Sequence, residues 1–150
     1  MRVRKYWAVG ATFGDSDMSK EFISEGIWYD GWADDGNTKD DAILKEINVG
    51  DCLILKSSST KGPGRQISFT KIKGIGIVIE KEEYYSFKMK WYDIPELPVD
   101  FDKIWYSKTV EELRDDNVLE YAIYKIKEEQ MKTYLSNITA HYCPTFEEPI

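Results

Sequence analysis

One histidine and two cysteines are the only nitrogen and sulfur ligands in this 150-residue sequence, and that shortage removes several chemistries at once. Cys52 and Cys143 lie far apart with no Cys-x-x-Cys spacing, and His141 stands alone. A structural zinc site needs four such ligands, so neither a metal nor a cofactor is expected. A serine or cysteine triad needs a histidine base, and His141 beside Cys143 is a poor candidate for one. The stretch Lys61-Gly62-Pro63-Gly64-Arg65 lacks the spacing of a phosphate-cradling P-loop. Carboxylates occur mainly as neighbours (Asp34-Asp35, Asp40-Asp41, Asp115-Asp116), the pattern of turns and caps. No catalytic residue is assigned, and a metal-dependent hydrolase ranks last among the readings. No run approaches the roughly 18–20 apolar residues of a membrane span. The opening residues, Met1-Arg2-Val3-Arg4-Lys5-Tyr6-Trp7, lack a signal-type apolar stretch. No membrane partner and a cytoplasmic location are the expectations.

Positive charge is also scarce overall. Lys and Arg total 20 against 27 Asp and Glu, for a net −7, which excludes a wholly basic nucleic-acid coat or a polybasic membrane anchor. The distribution is uneven. Residues 52–73 hold five bases (Lys56, Lys61, Arg65, Lys71, Lys73) and no acid. Such a patch reads either as a solvated hairpin with guarded edges or as an anion-facing surface.

Aromatic residues are abundant at 14%, with 5 Trp and 10 Tyr, and the pattern is strand-rich. Residues 5–10 are aromatic and β-branched and predict a central first strand. Asp15-Ser16-Asp17 offers caps for a helix over Met18–Glu25, which Gly26 stops. Residues 27–32 form a compact aromatic stretch, and Thr38 with Asp41 caps a helix over 39–47. Further strands are expected at 52–56, 67–80, 84–91 and 101–106, with a flexible loop over 57–64. Gly74 and Gly76 permit a bulge or a close backbone approach. The tail reads as a strand over 120–126 then a helix, or as one helix from Asn117 capped with Glu120; strand then helix is slightly preferred. Together these elements predict one α+β domain on a curved, mostly antiparallel sheet or barrel, with 1–110 as its core and 111–150 as an extension packed on it.

A binding constellation remains. Gly26-Ile27-Trp28-Tyr29-Asp30-Gly31-Trp32 places three large aromatics in a glycine-bounded stretch. Trp7, Trp91 and Trp105 fit core positions, whereas Trp28 follows a helix stop. Aromatic platforms stack unpaired bases for about 1–3 kcal/mol each, and a neighbouring cationic hairpin would hold phosphates.

The motifs Lys5-Tyr6-Trp7-Ala8-Val9-Gly10-Ala11-Thr12-Phe13, Phe22-Ile23-Ser24-Glu25-Gly26-Ile27-Trp28, Ile47-Asn48-Val49-Gly50-Asp51 and Leu55-Lys56-Ser57-Ser58 follow in an order that resembles the EVE domain. The pattern continues through 73–78 and 88–91, covering roughly residues 4–106. EVE belongs to the PUA-like superfamily and is related to YTH domains; the similarity is greatest to the N-terminal specificity domains of McrB-type restriction proteins. The resemblance implies a small PUA-like β-barrel flanked by short helices that reads a modified base. It maps a base pocket onto Trp28, with Gly10, Ala11 and Thr12 as polar contacts and Phe13, Tyr29 or Trp32 completing a cage. Lys56, Ser57 and Ser58, followed by Lys61, Arg65, Lys71 and Lys73, would meet phosphate. The implied partners are DNA or RNA carrying a methylated or otherwise modified base, and a AAA+ motor or nuclease in the same chain or in trans. The alternatives are a PUA-like module for unmodified structured RNA, or a domain binding a small ligand or a protein segment.

Overall fold

The computed structural model describes residues 3–31 and 40–142. Its framework is β1 (Tyr6–Gly10), β5 (Cys52–Lys61) and β6 (Ile67–Glu83). Alternation along these strands separates two apolar faces. Trp7, Val9, Leu53 and Leu55 enter one cluster, while Ala8, Cys52 and Ile54 enter the other, as the two-residue strand period requires.

β1 runs parallel to β5, pairing Tyr6 with Cys52 through Gly10 with Lys56. The other ladders are antiparallel: β5 with β6, β6 with β7 (Ser86–Trp91), β7 with β4 (Ile27–Tyr29), and β1 with β9 (Val110–Glu112). The N-terminal part of β6 also takes β8 (Val99–Asp102). One seven-stranded sheet results, in the order β4-β7-β6-β5-β1-β9 with β8 on β6. Among the described residues it does not close into the expected barrel. Its path ends at β4 and β9, three residues each, and no ladder joins these two strands. A separate hairpin, β2 (Thr12–Phe13) and β3 (Ser16–Asp17), follows β1.

Helix α1 (Ser19–Glu25) covers the first face with Phe22. Asp17 Oδ1 accepts the Ser19 N–H at 2.9 Å, and Gly26 stops the helix at φ 67°, where only glycine is unstrained. Helix α2 (Asp41–Leu44) adds Leu44, followed by Ile47; the expected Thr38 cap lies outside the described residues. Helix α3 (Asn117–Tyr142) closes the second face through Val118, Ala122 and Ile126.

That last helix corrects the preferred strand-then-helix reading of the tail. Tyr121, Ile123 and Tyr124 have strand-forming side chains, but burial recurs every four residues, which only a helix produces. Its cap is Asp116, whose Oδ1 accepts the Val118 and Leu119 N–H groups, rather than Asn117. The expected loop over 57–64 is also shorter: β5 continues to Lys61 and pairs down to Ile67, leaving a 3-10 turn at Pro63–Arg65. The two glycines of β6 do what their spacing suggested. The β5–β6 register shifts between Leu55 and Lys56, so that Leu55 faces Gly74 and Lys56 faces Ile72. A Cβ at Gly76 would lie 2.6 Å from the Lys90 carbonyl oxygen, so only glycine permits the approach of β7. Among the described residues, no helix is long and apolar enough to cross a membrane.

Candidate functional site

Of the residues assigned to the base pocket, Gly10, Phe13, Trp28 and Tyr29 lie in one cluster with Phe22. β1 ends at Gly10, whose carbonyl accepts the Trp28 Nε1–H at 3.0 Å. Ala11, fully buried, donates its N–H to the Lys56 carbonyl and accepts from Met18 N, which pins the turn that leads into β2. Thr12 is exposed there. Phe13 then reaches Tyr29, with ring centroids 5.9 Å apart at 34°, and Phe22 at 5.9 Å edge-on. Gly31 lies beneath Phe13, where a Cβ would come within 3.1 Å of the ring.

The arrangement differs from an open cage at one position. Trp28 has 0% of its surface exposed and stacks on Phe87 at 6.0 Å and 13°. The aromatic stretch after Gly26 begins as strand β4, and pairing Trp28 with Phe87 in the β4–β7 ladder turns the indole into the core. Trp28 is therefore the floor of the aromatic cluster, and the half-buried rings of Phe13 and Tyr29 are its accessible part. Trp32 lies outside the described residues. Trp105, placed in the core from sequence, is 42% exposed.

The basic hairpin changes more. Lys56, expected to meet phosphate, is withdrawn from the surface. It is 5% exposed, and its ammonium donates to the carbonyl oxygens of Tyr106 at 2.6 Å and Lys108 at 2.7 Å. Strand alternation explains this, because Cys52, Ile54 and Lys56 share the face that α3 covers. Ser58 is committed on the same face to Thr70 and the Tyr106 carbonyl; Ser57 is half-buried beside Lys71. Further along, Lys61 pairs with Asp100 at 3.4 Å and Asp102 at 2.7 Å, and Lys71 approaches Asp100 at 3.9 Å. Lys73 pairs with Asp17 at 2.8 Å. Arg65 is exposed, bonds the Thr60 and Ser59 hydroxyls, and has no ion pair among the described residues. The acids that offset the patch come from β3 and β8, remote in sequence.

Burial pushes the Lys56 ammonium down to about 8, with the Glu111 carboxylate opposing. The unfolded chain holds that proton to about 10.5, so between these values the unfolded state binds more protons and stability gains with rising pH. The free energy of unfolding of the wild type relative to Lys56→Met is expected to rise between pH 8 and 10, measured by urea denaturation. A difference that stays flat would show that the ammonium titrates as it does in water.

Two groups gave no signal in the sequence. Asp51, buried, accepts three N–H groups: Lys5 N, Asn48 N and Trp7 Nε1, each at 3.0 Å. Tyr106, also buried, donates its hydroxyl to Asp116 and accepts from Arg114 N. Cys52 is buried, and burial pushes its thiol up, away from nucleophilic character at neutral pH. No group of metal-ligating side chains occurs among the described residues. No protein-family model matches the chain, and a search of the curated proteins finds no match.

Proposed function

We propose that this is a non-catalytic nucleic-acid-binding domain that takes a modified, in particular methylated, base against Phe13 and Tyr29. The observation that supports the reading is the convergence of residues 10–13 with Trp28 and Tyr29 through the Trp28 to Gly10 hydrogen bond and the Phe13–Tyr29 ring contact. The EVE-like and PUA-like character of the fold belongs to the same proposal; the order strand, short helix, glycine stop and aromatic strand is consistent with it. The buried indole fixes the floor, so a base entering here stacks on the outer rings, and an added methyl group gains about 0.8 kcal/mol by burial. The base must first leave its stack, at a cost of a few kcal/mol, so single-stranded or locally opened DNA or RNA binds best. A motor or nuclease would supply whatever chemistry follows recognition.

Tryptophan fluorescence titrated with single-stranded oligonucleotides carrying 5-methylcytosine, N6-methyladenine or no modification tests this. One modified strand is expected to bind more tightly than its unmodified twin, and Phe13→Ala or Tyr29→Ala to weaken it about tenfold, the lower part of the range for one lost base stack. Equal affinity for all strands would sink the reading, and preference for unmodified RNA would move it to the structured-RNA alternative.

A further inference from the structure

A groove of about 690 Å³ runs between α1 and β6, lined by Lys20, Ile23 and Ser24 of the helix, Lys71 and Lys73 of the strand, and Pro98. It continues past the shared residues Ile23 and Lys73 into a further 350 Å³ beside Gly74, Trp91 and Leu97. Ser19 and Ile23, and Lys20 and Ser24, are four residues apart on the helix, so one face of α1 forms a whole wall. On the strand side Gly74 keeps the floor low: a Cβ there would come within 3.3 Å of the Ile23 side chain and 3.5 Å of the Trp91 ring.

The groove combines an apolar strip with cations. Ile23 is 41% exposed although it is a large aliphatic residue, and Trp91 is half-buried. Lys20 makes no ion pair among the described residues, and the nearest carboxylate to Lys71 is at 3.9 Å. Lys73 is held by Asp17 at 2.8 Å, and Asp93 is a second acid, lining the extension. Lysine therefore outnumbers acid, and the surplus stands beside apolar surface suited to a flat ring. The β2–β3 hairpin links the groove to the aromatic cluster: Thr12 and Phe13 lie on one strand, and Asp17 pairs directly with Thr12 on the other.

We infer that this groove holds the nucleotide next to the recognised base, its phosphate against Lys71 and Lys20 and its base against Ile23, Trp91 and Leu97. The inference rests on the proposed nucleic-acid reading and adds a second, sequence-tolerant subsite to it. Stacking and phosphate neutralisation there depend on no modification, so the subsite grips strands that lack the modified base as well.

The test is a ¹H–¹⁵N NMR titration of the full chain with an unmodified thymidine hexanucleotide. Shifts are expected at the amides of Ile23, Ser24 and Lys71 to Gly74 and at the Trp91 indole N–H. Ser24→Trp fills the groove from an exposed position, and Lys71→Ala removes one phosphate contact; each is expected to weaken binding about tenfold, while preserved spectral dispersion reports an intact fold. Lys71→Ala should also flatten the slope of log K against log salt by about 0.7, one single-strand phosphate. Shifts confined to Thr12, Phe13 and Tyr29, or wild-type affinity in Ser24→Trp, would overturn the groove assignment and leave the base site standing. Shifts in neither region would also overturn the groove assignment, whereas the base site stands or falls on the modified strands. Groove shifts with a Glu- and Leu-rich peptide but not with the oligonucleotide would overturn it in favour of a peptide site.

Discussion

Trp28→Ala is expected to cost about 3–5 kcal/mol of stability, the range for emptying a buried aromatic site. The indole is wholly buried, stacked on Phe87 and in contact with Phe22. Alanine removes those contacts and leaves a cavity between two β-strands and α1 that only partial collapse can fill. It also removes the Nε1–H that Gly10 accepts, and this bond ties the end of β1 to β4. Trp28→Phe separates the two contributions, because it keeps most of the ring and loses the donor, at an expected cost of about 1–3 kcal/mol. Urea denaturation of the three proteins measures both. An alanine variant within about 1 kcal/mol of the wild type would mean that the ring is not packed as described. The result also governs how binding data are read, since oligonucleotide binding lost in Trp28→Ala would report a damaged scaffold. Phe13 and Tyr29, with accessible surface, are the positions at which the proposed base contact is tested.

The second large effect is expected at Asp51. Its carboxylate collects N–H groups from the approach to β1, from the turn before β5 and from the Trp7 indole. Asp51→Ala strands those donors in a dry interior, where each unmade bond costs about 1–3 kcal/mol. Removing one partner from a buried charged network costs about 3–5 kcal/mol. Asp51→Asn keeps the shape but places an NH₂ group where only acceptors fit, so it is expected to recover less than half of that loss. The urea midpoint should fall in both variants with the m-value unchanged. An alanine variant as stable as the wild type would show that water replaces the carboxylate.

Both positions show where sequence reading succeeds and where it stops. Asp51 sits in a turn of Asn, Gly and Asp, and turn chemistry alone accounts for such a residue. Nothing local says that Trp7, 44 positions away, donates to it. Lys56 is different, because the signal was present: counting alternate residues places Lys56 and Ser58 on the same face as the apolar Cys52 and Ile54. Lysine read as phosphate-facing gave way to a lysine capping backbone carbonyls. In α3 the local preference for strand at Tyr121, Ile123 and Tyr124 yielded to burial of Val118, Ala122 and Ile126 on one face, since tertiary packing outweighs propensities worth tenths of a kcal/mol.

The mixed α+β class, the strands around Trp7, Leu53 and Ile75, the Gly26 stop and the close approach at Gly76 are all legible along the chain. These follow from rules that act within a few residues: alternation, capping and the room that a missing Cβ provides. Tertiary structure alone decided that Trp28 is floor rather than wall and that the sheet stays open among the described residues. It also set Lys61 and Lys73 of the +5 stretch over 52–73 against Asp100, Asp102 and Asp17, left Lys71 at 3.9 Å from Asp100, and buried Lys56. Local charge is a property of a segment, but the field at a surface is a sum over whatever the fold brings near it. Strand pairing brings β3 and β8 to the basic hairpin, and no count along the chain contains that distance.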